Sequence, residues 1–292
     1  MLGQQLVNGF VAGATYALFA LGFTLMFGVL RVINLTYGVY FSAGAFLALA
    51  LVRNVGFGLW LALPASAIAT GGLAVLIDAL LLTRLRRAKA PELASLMVTL
   101  GATLLLYAVL TAWLGTEIRR FPPGLVGGAV EFGGIRISGA QALIIVTTFV
   151  LVAGLLTLLR RTRLGLAIRA LAENPEAAQL MGVDAGRTVA FVSFASGALG
   201  AAAGVLIGLE YNAIQPYMGE AMMLKGFAVI IIGGLGDIGG ALIAGLLLGM
   251  AEALTAGYLA STLKDAVGFV LLVLTLWVRP DGLFGRASAR RA

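Results

Sequence analysis

The 292-residue sequence contains neither histidine nor cysteine. That removes Ser-His and Cys-His catalytic pairs, disulfides, thiol chemistry and Cys/His zinc sites together. Nucleotide chemistry is excluded next, because a phosphate-binding P-loop needs Gly-Lys followed by Ser or Thr. The lysines are Lys89, Lys225 and Lys264, and none follows glycine or precedes a hydroxyl residue. The carboxylates are scattered, so paired acid–base chemistry has no footing either, and the chain reads as something other than an enzyme. What remains are isolated charges in apolar surroundings, each costly inside a bilayer: Asp78 and Glu252, with Lys225 and Asp237 flanking a short apolar run. Asp78 is expected to pair locally with Arg84, and Glu252 to face a cavity or a partner subunit. Lys264 and Asp265 are placed at the outer interface.

These charges sit in a chain that is 61% hydrophobic and only 11% charged, with mean hydropathy +1.03. Soluble domains carry about 25% charged residues, so this chain cannot clothe itself in a wetted surface. The expectation is an all-α fold, a polytopic transmembrane helical bundle forming a single domain over 1–292. Most of its 40 glycines lie inside apolar runs, where small residues let membrane helices approach closely. A bilayer core needs roughly 20 apolar residues per helix. Segments 6–30, 32–52, 57–82, 93–114, 141–159, 188–209, 239–256 and 263–278 meet or approach that length, and 225–238 is a shorter candidate. Eight or nine crossings follow, the irregular second and seventh segments making the difference. Residues 1–8 lack a basic leader, so the first run is expected to remain as a span.

The net charge of +7 resides in short loops, the pattern of the positive-inside rule rather than of a nucleic-acid footprint. Residues 83–91 hold Arg84, Arg86, Arg87 and Lys89, residues 160–187 hold five arginines, and the tail from Arg279 holds four. All three are read as cytoplasmic. Segment 115–140 balances its arginines with Glu117 and Glu131 and is read as external. An odd number of crossings then puts the N-terminus outside.

Two polar clusters interrupt the spans: Asn34, Thr36 and Tyr37, and then Asn212, Gln215, Tyr217 and Gly219. Irregular backbone at membrane depth survives only where protein or water satisfies it. Half-helix N-termini carry partial positive charge that suits a carboxylate. Each residue alone also fits an interhelical hydrogen bond or an interfacial anchor; together they are the candidate substrate pathway. In the loop 160–187, Asn174 as N-cap, Pro175 at the first helical position and Glu176 in the first turn begin a short helix that Gly182 ends. Such a helix either docks a cytoplasmic partner or belongs to a solvated loop that sets topology.

Glu176-Ala177-Ala178 followed by Gly182 resembles the opening of the EAA loop that ABC permeases insert into their ATPase, without the Ile-x-Leu-Pro that often closes it. More widely, the chain resembles the LivH-like subunits of the branched-chain amino acid permease family of ABC importers. The resemblance rests on Leu21-Gly22-Phe23, Phe27-Gly28 and Val32-Ile33-Asn34, on Ala90-Pro91-Glu92-Leu93-Ala94 and Thr99-Leu100-Gly101, and on Thr162-Arg163-Leu164-Gly165. It continues through Lys225-Gly226-Phe227-Ala228, Gly233-Gly234-Leu235-Gly236 and the closing Arg279-Pro280-Asp281-Gly282-Leu283-Phe284-Gly285. Tyr37 stands where that family carries histidine, Val39 where an acid is common, and Asp237-Ile238-Gly239 where Ser-Ile-Pro is usual. The resemblance implies a multi-pass inner-membrane permease that moves branched-chain amino acids or related small polar solutes by alternating access. Its implied partners are a second permease (a LivM-like paralogue or a second copy), two cytoplasmic ATPase subunits and a periplasmic substrate-binding protein. ATP and Mg would lie on the ATPase chains, with no cofactor in this one, and Glu176, Ala177, Ala178 and Gly182 would couple to the ATPase. The competing reading is an ion- or proton-coupled secondary transporter or channel, with Glu252 and Asp237 as its ion sites.

Overall fold

The computed structural model describes residues 2–30, 32–88, 90–125, 127–132 and 135–285. Lys89 and the tail arginines Arg286, Arg290 and Arg291, counted among the basic loops, lie outside them. Where no water can satisfy backbone amides, the chain must satisfy them within itself, and helices do so. Twelve α-helices form among the described residues: α1 (Leu2–Leu30), α2 (Tyr37–Ala50), α3 (Leu59–Ile77), α4 (Thr83–Arg87), α5 (Glu92–Leu114), α6 (Gly139–Arg161), α7 (Arg163–Glu173), α8 (Pro175–Leu180), α9 (Ala185–Glu210), α10 (Met218–Gly233), α11 (Ile238–Tyr258) and α12 (Lys264–Val278). A π turn, Leu51–Val55, extends α2, and another, Asp78–Leu82, joins α3 to α4. A small antiparallel hairpin, β1 (Ala129–Phe132) with β2 (Ile135–Ser138), lies between α5 and α6 and was not expected from the sequence. It defines one end of the bundle; the arginines of α4, α7 and Arg279 mark the opposite, basic end.

Among the described residues, eight stretches are long and apolar enough to cross a membrane. Helix α10 is not among them, its 16 residues extending only about 24 Å. It runs from near Ile214, bridged to Arg119 at the hairpin end, to Gly234, which lies against Gly285 at the basic end. The two irregular segments differ from expectation. The second helix starts at Tyr37, leaving 32–36 non-helical, and runs on to Val55. The seventh starts at Met218, so Lys225 lies in its middle rather than at its edge. Hydropathy alone had cut this helix short at its charges, yet Glu220 sits in the first turn, where the helix dipole favours an acid.

Helix α1 is the hub, almost wholly buried from Gly9 to Met26 and packed on α6, α9, α10 and α11. Glycines make its contact with α11. A Cβ built on Gly13 would stand 2.8 Å from the Leu246 Cα, one on Gly9 2.8 Å from the Met250 Cα, and one on Gly245 2.7 Å from the Ala17 Cα. Helix α9 forms a similar seam, with Gly197 on Thr70 and Ala74, Gly200 on Tyr37 and Gly204 on Phe41. The outer helices turn out large apolar side chains, Leu104 and Trp113, Phe149 and Val150, and Val273 and Trp277.

The seam yields a test. Gly249→Leu should drive a side chain into the α1 backbone, cost at least the roughly 1–3 kcal/mol of overpacking, and lower the melting temperature in detergent. Gly72→Ala, where a Cβ meets nothing within 4 Å, should leave stability unchanged or raised by up to about 1 kcal/mol. Equal melting temperatures for Gly249→Leu and the parent would mean that this seam is not tight.

Candidate translocation path and coupling surface

The two polar clusters read from the sequence approach each other at one contact, Gly219 against Gly38, the residue after Tyr37. Helix α2 begins inside the bundle: the Tyr37 hydroxyl donates to the Phe19 carbonyl at 2.9 Å, midway along α1, and its ring stacks on Phe23. Asn34 organises the residues ahead of it, its Oδ1 accepting from the Thr36 backbone N–H at 3.0 Å and from the Thr36 hydroxyl. Asn34, Thr36 and Tyr37 are all fully buried. Helix α10 starts against them. The Gly219 N–H donates to Ser42 Oγ at 3.0 Å, and Gly38 and Gly219 touch backbone to backbone. Two helix N-termini, both positive in partial charge, therefore overlap within the bundle. Ahead of α10, Asn212 takes a left-handed backbone (φ 45°), and its Oδ1 accepts from the Phe121 N–H. The Tyr217 ring meets Tyr107, centroids 5.3 Å apart, and Gln215 lines a cavity.

That cavity, about 410 Å³, opens between α9, α10, α11 and α12, and on its wall lies an ionic cluster that the sequence had dispersed. Lys225 Nζ donates to Glu252 Oε2 and Oε1 at 2.6 and 2.8 Å and to the Tyr16 hydroxyl at 3.0 Å, while Asp265 Oδ1 stands 3.0 Å away. The Tyr16 hydroxyl in turn donates to Glu252 at 2.8 Å. Four helices, α1, α10, α11 and α12, thus share one lysine. Expectation had set Asp265 at the interface and Glu252 toward a cavity or a partner; Glu252 does border the cavity, but its partner is Lys225 in the same chain. Glu252 and Lys225 stand 27 positions apart, beyond the reach of any helix-spacing rule. Only the presence of two opposite charges in apolar segments hinted at the pair. The carboxylates named for an ion-coupled transporter are both engaged, since Asp237 Oδ1 caps α11 by accepting from the Gly240 N–H at 2.7 Å.

At the basic end, Asp78 pairs with Arg86 at 2.7 Å and not with Arg84. An α-helix turns about 100° per residue, which carries Arg84 off the Asp78 face; the wider π turn Asp78–Leu82 brings Arg86 back to it. Nearby stands α8. Asn174 Oδ1 accepts from the N–H groups of Glu176 and Ala177, and Pro175 occupies the first turn. At the other end the Gly182 N–H donates to Gln179 O and the Val183 N–H to Ala178 O, a Schellman closure that requires the positive φ of Gly182, 87°. Ala178 faces the bundle, whereas Glu176, Ala177 and Gly182 face out. Beside them Leu180 and Met181 are 88% and 86% exposed, two large apolar side chains that sequence reading had passed over.

A charge-poor bundle with two helix starts inside it and a small capped helix on its basic end defines a multi-pass membrane permease. Comparison with known proteins agrees. Residues 5–276 match the family described as Branched-chain amino acid transport system / permease component. The high-affinity branched-chain amino acid transport system permease protein BraD of Pseudomonas aeruginosa is 35% identical, over 99% of this chain and 97% of that protein. LivH of Escherichia coli K12 is 33% identical over 99% and 97%, and the probable LivH of Methanocaldococcus jannaschii 33% over 97% and 93%. The chain belongs to the branched-chain amino acid transport permease family, and it is a multi-pass inner-membrane protein.

The ionic cluster predicts a thermodynamic cycle. Removing one partner of a buried ion pair strands the other, at about 3–5 kcal/mol, so Lys225→Met should sharply lower the melting temperature. The double variant Lys225→Met/Glu252→Gln should recover most of that loss. Additive losses in the double variant would show that the two residues act independently.

Proposed function

We propose that the chain is the membrane subunit of an ABC importer for branched-chain amino acids or related small polar solutes, driven by ATP bound with Mg on separate ATPase chains. It holds no nucleotide motif of its own, so it takes energy through a mechanical contact, and it catalyses no reaction itself. The partners are a second permease, either a LivM-like paralogue or a second copy, two ATPase subunits beneath the basic end, and a periplasmic binding protein above the hairpin end. The observation that carries this reading is α8, a six-residue helix capped at both ends that presents Leu180 and Met181 beyond the apolar body of the bundle. A rigid projection with exposed apolar side chains suits insertion into a groove on another chain. The loop 160–187 is then the coupling loop, with Glu176, Ala177, Ala178 and Gly182 at the contact.

Solute passage is assigned to the region around the starts of α2 and α10, with Asn34, Thr36, Tyr37, Asn212, Gln215, Tyr217 and Gly219 as its residues. Two things support this assignment. Both helices start there, and glycine on each side leaves their backbones free to slide. Gly38 and Gly219 stand backbone to backbone, and alternating access would part them.

Two variants test this. Leu180→Glu with Met181→Glu should cut uptake by reconstituted transporter at least tenfold and release the ATPase, while the permease keeps its melting temperature. Full uptake by that variant would move the coupling contact elsewhere. Tyr37→Phe keeps the ring and loses only the hydroxyl on Phe19, a change of about 1 kcal/mol, and should lower uptake several-fold. Unaltered uptake would assign Tyr37 to packing alone.

A further inference from the structure

We propose that the cavity beside Lys225 binds the zwitterionic head of an α-amino acid, with its aliphatic side chain on the wall formed by Phe41, Met218, Met222 and Leu248. This rests on the reading of the chain as an amino acid permease and names a site for the solute within it. The 410 Å³ falls in the range of small-molecule sites, roughly 300–1,000 Å³. Its wall carries two cations, Lys225 and Lys264, and two anions, Glu252 and Asp265. A lone anion or cation would unbalance such a site, whereas a zwitterion leaves it neutral.

The four charges are not equally engaged. Lys225 is held by Glu252, Asp265 and Tyr16. Lys264 makes no ion pair among the described residues and lies over the Tyr211 ring, 5.8 Å from its centroid, leaving it for a ligand carboxylate. Asp265 is 61% exposed and receives the ammonium, and the Gln215 amide can serve either group. Taking the ammonium loosens the Lys225–Asp265 contact, while Lys225 keeps Glu252 and the site stays neutral. Binding thereby exchanges a link between α10 and α12 for contacts to the solute. The two methionines conform to differing aliphatic shapes. A sugar, by contrast, would leave hydroxyls unpaired on the apolar wall.

Because the chain lacks cysteine, Met222→Cys gives a single reporter in this subunit of the complete transporter in nanodiscs, read as mass shift after treatment with a methanethiosulfonate. Saturating leucine should slow modification at least tenfold. Isopentylamine and 4-methylpentanoate, each lacking one of leucine's charges, should change the rate less than twofold. Lys264→Gln and Asp265→Asn, added singly to the reporter, should each remove leucine protection while the subunits remain assembled. Unprotected Met222→Cys in a transporter that takes up leucine overturns the site, as does a thiol that never reacts. Protection without leucine uptake by the parent would instead fault the transport reading and leave the site standing.

Discussion

Along the seam where Gly9 and Gly13 of α1 meet Gly245 and Gly249 of α11, the backbones are so close that no side chain fits between them. Helices in lipid gain nothing from escaping water, so close van der Waals contact must hold them together, and glycine permits it. The rest of the bundle depends on that seam. One turn beyond Gly13, Tyr16 reaches Glu252, itself one turn beyond Gly249. A wider α1–α11 spacing would pull this hydrogen bond apart and leave Lys225 unable to hold Tyr16 and Glu252 together. Because α11 covers one side of α1, the other sides are free for α9 and α10, and α1 becomes a helix that scarcely touches lipid.

The same use of small residues explains how polar backbone is tolerated at depth. Tyr37 fits because Gly200 gives its ring space, and Gly219 can bring the start of α10 onto Gly38 because neither carries a Cβ. The Gly219 N–H of α10 then finds Ser42 Oγ, and ahead of α2 the Thr36 N–H is satisfied by Asn34 Oδ1. Irregular chain inside the bundle is thus paid for by side chains, as a medium without water demands.

What the sequence disclosed and what it hid divide along the range of the interactions. The spans, the Asn174-Pro175 start of α8 and the Gly182 turn depend on neighbours within a few residues, so local pattern sufficed. The family resemblance was legible for the same reason, in contiguous blocks. The partner of Glu252 was not, because Lys225 comes to it through the path of the chain in space rather than through spacing. Hydropathy read Lys225 as the edge of a span, although its charge is neutralised by another helix. Arg84 was preferred to Arg86 for Asp78 because an ordinary helix was assumed, and no residue type announces a π turn. The hairpin escaped because its strands are four residues each, too short for alternation to register.

The pairing of Lys225 with Glu252 also bears on how the chain enters the membrane. Alone, α10 is a poor candidate for insertion: it is short, and a lysine near a helix centre costs about 2.5–3.5 kcal/mol on translocon scales. Only Gly234, Leu235, Gly236 and Asp237 separate it from α11, which brings the neutralising carboxylate and a longer apolar stretch. The energetics favour α10 and α11 entering the bilayer as one hairpin, because the carboxylate that makes α10 tolerable in lipid is carried by its neighbour across a four-residue turn.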